Sequence, residues 1–337
     1  MKYRTIGHTQ LRVSEIGFGC GGNAGLMVRG EPREQIHVIE HALTAGITYF
    51  DNAPDYGDGR AEENLGRALK ELGAHPVINS KVEIRAADLG DIAGHVVRSA
   101  EGSLTRLAIE RLDVFQVHNG PSRTPYALQG KDYRRLWLED FLRPGGACEG
   151  LRRLKDAGKI GLAGFICRGD DADAAAALLG TGLFSLVNVP YTLLNPTAGM
   201  PKPPRFEVED FGNVIAVAVR NGASAAIYSP LAGGLLTDAF LRGSPRHPLA
   251  RAVDPDTSAT RVAAARLAKL TFLPNEGESL AQAAYRFCLS NAGVATVLGG
   301  FSAIEHVEEI AAVSGRGRIT REKMQRLESL WASNFDS

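Results

Sequence analysis

The 337-residue chain holds only four cysteines, Cys20, Cys148, Cys167 and Cys288, with no CxxC and no spacing that suits a metal. Thiols this few and scattered exclude a disulfide framework and point to reduced cysteines inside a cell. Net charge is missing too, because 38 basic side chains meet 38 acidic ones. That leaves no extended electrostatic footprint for nucleic acid or an anionic membrane, and favours a small neutral or modestly charged partner. No apolar run approaches eighteen residues, and no apolar stretch follows the opening Met1-Lys2-Tyr3-Arg4-Thr5. Neither a membrane span nor a secretory signal is expected, so the cytoplasm is the expected location. A dinucleotide fingerprint is incomplete: Gly17, Gly19 and Gly22 have its spacing but lack the acidic partner in a following strand. Asp51 stands at a strand end, which keeps a doubly wound sheet as the alternative fold. Nothing in the sequence sets an oligomeric state.

What is present is an alternation of short apolar runs with longer segments of helical spacing, the pattern of repeated strand–helix units around a parallel sheet. Eight units are expected, with strands at 14–20, 48–51, 76–81, 113–118, 160–166, 186–191, 225–229 and 294–298. Helices are expected at 32–45, 62–72, 91–107, up to 155, 172–179, 207–221, 260–270 and 279–290, then after strand eight and at 320–331. Uniformly apolar strands are buried on both faces. One α/β barrel over residues 1–337 fits the length, with long loops at 119–148 and 230–257 over its C-terminal mouth.

The stretch Thr48-Tyr49-Phe50-Asp51-Asn52-Ala53-Pro54-Asp55-Tyr56-Gly57 organises the rest. A buried strand ends in a carboxylate, and a phenol follows five residues later. Strand three ends at Lys81 and strand four at His118, so neighbouring parallel strands would bring Asp51, Tyr56, Lys81 and His118 into one polar cluster. Singly, each has a bland role as loop cap, turn aromatic, snorkelling cation or backbone-satisfied histidine. Together they suit carbonyl chemistry. A carbonyl that accepts hydride develops alkoxide character and needs an acid with donors beside it. An ammonium near a phenol would lower its pKa, and a carboxylate would keep a buried ammonium charged.

Several segments in order resemble the aldo-keto reductase family: Lys2-Tyr3-Arg4-Thr5-Ile6-Gly7, Val13 to Gly19, Phe50-Asp51 with Tyr56-Gly57, Glu62 to Gly66, Ser80-Lys81, Val117-His118 and Tyr228 to Leu235. The resemblance implies a (β/α)8 TIM barrel and an NAD(P)(H)-dependent oxidoreductase that reduces aldehydes or ketones, or oxidises alcohols or sugar lactols. It puts the catalytic tetrad on Asp51, Tyr56, Lys81 and His118. Tyr56 is then the acid/base, Lys81 its activator, Asp51 the partner of Lys81 and His118 the group that orients the carbonyl. The implied cofactor contacts are Gly19, Asn188, Tyr228, Ser229, Leu231, Gly233, Gly300, Ser302 and Glu308. Tyr228 would offer a flat face to the nicotinamide, and Ser302 with neighbouring backbone N–H groups would meet a phosphate.

The chain departs from the family pattern at strand five, where Ile166 and Cys167 replace the usual hydroxyl and amide that hold the carboxamide. Asn188 replaces a Gln on strand six. Cys167 reads as a small buried hydrophobe rather than a reactive thiol. No Lys or Arg occupies the usual 2′-phosphate position near Gly299-Gly300-Phe301-Ser302-Ala303, so NADP(H) is favoured only slightly over NAD(H). Glu308 reads either as an adenine contact or as a solvated helix acid. Two rival functions follow: a non-catalytic cofactor-binding barrel, and a metal-dependent barrel hydrolase or lyase. The latter lacks convergent ligands at the ends of strands five to eight, so no metal site is expected. Tyr126, Tyr133 and Trp137 are candidate apolar walls of the substrate pocket.

Overall fold

The computed structural model describes residues 1–336 apart from Asp170 and Pro255; Ser337, the last residue of the expected domain, lies outside the described residues. Eight parallel strands close into a barrel in sequence order, β8 returning to β1. The units are β1 (Ile16–Gly19) with α1 (Pro32–Thr44), β2 (Tyr49–Asp51) with α2 (Arg60–Leu72), β3 (Val77–Val82) with α3 (Ile92–Leu107), and β4 (Leu112–Val117) with α4 (Ala147–Asp156). They continue with β5 (Ile160–Ile166) and α5 (Ala172–Gly180), β6 (Phe184–Pro190) and α6 (Val214–Arg220), β7 (Ser224–Tyr228) and α7 (Leu280–Ser290), and β8 (Val294–Gly300) and α8 (Ile304–Ala311).

Local chemistry explains the helix limits. Pro32 opens α1, where its missing N–H costs nothing. Asp91 caps α3 by accepting from the Gly94 amide at 3.0 Å, and Ser279 and Gln282 form a reciprocal capping box at α7. In α2, Leu65, Ala68 and Leu69 are buried on one face, and Gly73 ends the helix with φ 60°.

The strands are buried on both sides. Tyr49, Val114, Leu186, Ala226, Ala295 and Leu298, drawn from five strands, form a small core of their own with Ile6 and Val13. Ile6 and Val13 come from the antiparallel hairpin Tyr3–Thr5/Arg12–Ser14, which closes the end of the barrel where the strands begin. The first strand was expected to start at Ser14. Instead Arg12–Ser14 belongs to this hairpin and β1 starts at Ile16, because the Glu15 amide bonds Lys2 O at 3.0 Å and its carboxylate pairs Arg4 at 3.0 Å.

Two other expectations are corrected. Helix six was expected over 207–221 but forms only at Val214–Arg220. The preceding stretch is tied to Asn195 and Thr197 instead: Thr197 Oγ1 accepts from the Phe211 amide and Asn195 Nδ2 donates to Glu209 O. Asn213 then takes a left-handed turn at φ 51°. The 119–148 loop carries more order than expected, with a small parallel sheet, Gly120–Ser122 beside Arg135–Trp137, and a helix at Leu138–Leu142. Asn119 starts it by imitating a strand: its side chain both accepts from the Ile84 amide and donates to Ile84 O. The tail helix Arg321–Ala332 docks on the barrel through buried Trp331, whose indole N–H donates to Leu193 O at 2.9 Å.

Candidate active site

Successive side chains of a strand alternate between faces, so Asn79, Lys81 and Glu83 project to one side of β3 and of its exit. Asn79 stands opposite Asp51 of β2. Lys81 Nζ donates to Asp51 Oδ1 at 2.5 Å and to Asn52 O at 2.5 Å, and lies 3.4 Å from the Tyr56 hydroxyl. Asp51 Oδ2 accepts from Asn79 Nδ2 at 2.7 Å and from Asn188 Nδ2 at 3.0 Å. Gln116 Nε2 donates to Asn188 Oδ1 at 2.8 Å. The buried ammonium and carboxylate are therefore paired and hydrogen-bonded on all sides, the condition under which burying them is tolerable.

His118 follows β4 directly. Its ring lies edge-on to Tyr56, centroids 6.1 Å apart, so Asp51, Tyr56, Lys81 and His118 converge at one strand mouth. The Tyr56 ring keeps some exposed area, yet its hydroxyl is enclosed. Burial pushes its pKa well above the ordinary phenol value, with Asp51 and Asp55 adding and Arg168 opposing. An ammonium beside the phenol is expected to lower this pKa, but the Lys81 charge is answered at 2.5 Å by Asp51, and desolvation then dominates. A phenol in this state keeps its proton across the neutral range.

His118 is held neutral, its pKa lowered by burial first and then by Lys81, Arg168 and Arg85. Its Nδ1 is 3.0 Å from Glu83 Oε1 and 3.7 Å from Asp55 Oδ1. Tyr133 donates its hydroxyl to Asp55 Oδ2 and packs its ring 5.0 Å from that of His118. Burial and the neighbouring Asp55 raise the Glu83 carboxyl to about 8. Glu83 thus carries a proton at neutral pH and can donate it to Nδ1. With that donation the imidazole is the Nε2–H tautomer, a neutral donor on its other side.

Asp55, Glu83 and His118 have donor atoms within 4.8 Å of one another, a grouping that a metal could use. The expectation of no metal site rested on strands five to eight and missed this trio. One hydrogen bond joins His118 to Glu83 and another joins Tyr133 to Asp55, while Asp55 Oδ1 is buried without a hydrogen-bond partner.

The remaining expected residues are distributed as follows. Gly19 ends β1 between Gly300 of β8 and Asp51 of β2. Tyr228 ends β7 half-buried, its hydroxyl 3.5 Å from Cys167 O. Beyond it the chain curls through positive φ at Ser229 (52°), Ala232 (48°), Gly233 (71°) and Gly234 (90°), with half-buried Leu231 inside the curl. Arg246 folds back over this curl, donating to Gly233 O and to Arg251 O. Arg29 and the Arg251 amide tie the same segment to the loop after β1. Gly300 is exposed, and buried Ser302 donates its hydroxyl to Ala24 O at 2.8 Å. Glu308 is exposed and pairs with His41 of α1 at 3.2 Å, as a solvated helix acid does.

These residues fit a nicotinamide dinucleotide at two of three places. Tyr228 has a ring face at the mouth, and the Arg246 guanidinium with the backbone of the curl suits phosphate. At the carboxamide end Ile166 and Cys167 are buried, and both ends of the Asn188 amide are committed to Asp51 and Gln116.

Glu83, Asp55, Arg85, Arg168 and the polar role of Tyr133 are not among the site residues expected from the sequence. The two-residue spacing from Lys81 to Glu83 was a usable signal for the first, since it sets both on one strand face. Tyr133 lies 78 positions from Asp55, and no local pattern links them.

Known proteins place the chain. The description "Aldo/keto reductase family" matches residues 15–332. Among curated relatives, the aldo-keto reductase YhdN of Bacillus subtilis is 30% identical over 70% of this chain and 64% of its own length, so the match spans less than two thirds of that protein. The L-glyceraldehyde 3-phosphate reductase of Escherichia coli O157:H7 is 26% identical over 100% of this chain and 96% of its own. A solved glycerol dehydrogenase, AKR11B4 of Gluconobacter oxydans, shares the fold with a TM-score of 0.74 at 19% identity, covering 99% of this chain and 96% of that one. Members of the family generally carry out carbonyl reduction with nicotinamide cofactors. By the match across residues 15–332, the chain belongs to the aldo/keto reductase family.

Proposed function

We propose that the protein, acting as one catalytic domain in the cytoplasm, interconverts an aldehyde or ketone with the corresponding alcohol, sugar lactols included. Tyr56 is the acid/base, Lys81 and Asp51 hold its surroundings, and His118 orients the carbonyl. The observation that carries this reading is Lys81 Nζ lying 2.5 Å from Asp51 and 3.4 Å from the Tyr56 hydroxyl, with His118 on the adjoining strand end. A bound nicotinamide cofactor supplies or accepts the hydride. The chain's own groups handle the proton and the charge. Tyr56 and the His118 Nε2–H form a pair of neutral donors at the position where alkoxide charge grows, in an enclosed setting where such donors act strongly. Lys81 places a fixed positive charge beside the phenol, which steadies the phenolate left after transfer.

NADP(H) is proposed ahead of NAD(H), supported by the Arg246 guanidinium beside the Ser229–Gly234 curl. The departures at Ile166, Cys167 and Asn188 bear on the carboxamide end, and they motivate the rival of a barrel that binds cofactor without turnover.

The test is reduction of a simple aldehyde such as 4-nitrobenzaldehyde with NADPH and with NADH. The reading requires turnover that falls about 100- to 10,000-fold in Tyr56→Phe, the range for loss of a general acid, while NADPH still quenches protein fluorescence. Quenching without any turnover by the parent protein would favour the non-catalytic barrel.

A further inference from the structure

A guanidinium brings five N–H donors and a permanent charge. Two of them stand beside the His118 site without the partners that such groups ordinarily need. Arg85 leaves β3 just beyond Glu83 and is half-buried. Its Nε is shielded from solvent with no hydrogen-bond partner, and among the described residues no carboxylate pairs with it. Arg168 follows β5 and is also half-buried. Its Nε donates to His118 O at 3.2 Å, which anchors the side chain across the mouth. Its terminal nitrogens have no protein acceptor among the described residues.

Both guanidinium groups lie against the Tyr133 ring, at 5.6 Å for Arg85 and 5.3 Å for Arg168. That ring stands 5.0 Å from His118. Stacking on an aromatic face holds a guanidinium without using its donors, so the donors stay available to a ligand. Shielded donors left unsatisfied cost free energy, and an acceptor that arrives with the ligand explains their retention.

Among the described residues the acids next to this site are engaged elsewhere: Asp51 pairs with Lys81, Glu83 with His118 and Asp55 with Tyr133, and none of the three is in an ion pair with Arg85 or Arg168.

We infer that Arg85 and Arg168 form an anion subsite beside His118, so that the substrate carries a carboxylate or phosphate about one ring width from its reacting carbonyl. This rests on the placement of the carbonyl at Tyr56 and His118. It narrows the substrate class to oxo-acids, carboxylated aldehydes or phosphorylated aldoses. Fork-shaped donors suit both kinds of anion.

The experiment compares kcat/KM for 4-carboxybenzaldehyde with that for neutral 4-carbamoylbenzaldehyde, and for glyceraldehyde 3-phosphate with that for glyceraldehyde. A charged-to-neutral ratio of about 10 to 100 is expected in at least one pair, as for hydrogen bonds to charged groups. The pair that shows it identifies the anion. The ratio should shrink with salt and fall toward unity in Arg85→Gln and Arg168→Gln, with Arg168→Lys intermediate because it keeps charge without the fork. Equal rates within both pairs, or ratios unmoved by every Arg variant, would overturn the subsite. If no aldehyde turns over, the catalytic reading has failed, and calorimetric titration with benzoate and inorganic phosphate still decides. Binding that weakens at least tenfold in either Gln variant supports the subsite, and no binding by the parent protein refutes it.

Discussion

Lys81 makes its contacts with Asp51, Asn52 and Tyr56 inside the barrel, so its replacement has two consequences that can be measured apart. Lys81→Met should lower turnover steeply while NADPH binding changes little. It should also destabilise the fold by about 3–5 kcal/mol, because the buried Asp51 carboxylate loses its counter-charge. Denaturant titration beside kinetics separates the two effects, and unchanged turnover would remove Lys81 from the mechanism. Glu83 governs the pH dependence. Its folded pKa, raised from 4.5 to about 8, means that the folded state holds the proton more tightly than the unfolded one. Its contribution to stability is complete below the unfolded value and is lost as pH rises toward about 8. Reduction should therefore fall above pH 8, as ionised Glu83 draws the proton of His118 to Nδ1 and strips Nε2 of its donor. Tyr56, raised by burial, should not limit the rate until more alkaline pH. Glu83→Gln keeps a donor toward Nδ1 and should abolish the limb near 8; a limb that persists there would assign it to another group. The tetrad residues were legible from strand ends, whereas the direction of the Tyr56 shift was not, because desolvation depends on what encloses the hydroxyl.

At the scale of elements, α2 and α3 approach so closely that Gly66 has no room for a side chain. A Cβ there would meet the Leu107 backbone, with O at 2.4 Å and Cα at 2.9 Å. Gly66→Ala must push the helices apart and should cost about 1–3 kcal/mol, the usual cost of overpacking, read as a lower thermal midpoint with the fold retained by circular dichroism. The sequence showed a helix with a leucine stripe at this place; it did not show that the end of a neighbouring helix presses on its glycine. The same limit applies to helix six. Its apolar spacing extended back to residue 207, yet competing bonds from Asn195 and Thr197 captured that backbone. Local periodicity registers what a segment can form, and side chains from an adjoining loop decide how much of it forms.

Over the whole molecule, the segments outside the barrel are fastened by buried polar anchors. Arg286 of α7 is 2% exposed and grips Glu278 in a fork, Nε to Oε1 and Nη2 to Oε2, both at 2.8 Å. Its remaining donors reach Leu273 O and Arg318 O, joining the stretch before α7 to the chain that leads into the tail helix. Glu278→Ala would leave that guanidinium buried without its anion, a loss of about 3–5 kcal/mol. Urea unfolding should show it, and a midpoint unchanged from the parent would mean that solvent reaches Arg286. The sequence by itself determined the eight alternating units and the four residues at strand mouths, while the choice of a closed barrel over a doubly wound sheet rested on family resemblance. Strand periodicity and strand ends are local properties, and a parallel barrel has one place where strand ends meet. The tertiary structure alone decided which groups surround those four. It set Glu83 and Asp55 against His118, drew Asn188 to Asp51, and stacked Arg85 and Arg168 on Tyr133. Those contacts join residues far apart in the chain, where burial and charge depend on distances in space that no spacing in the sequence records.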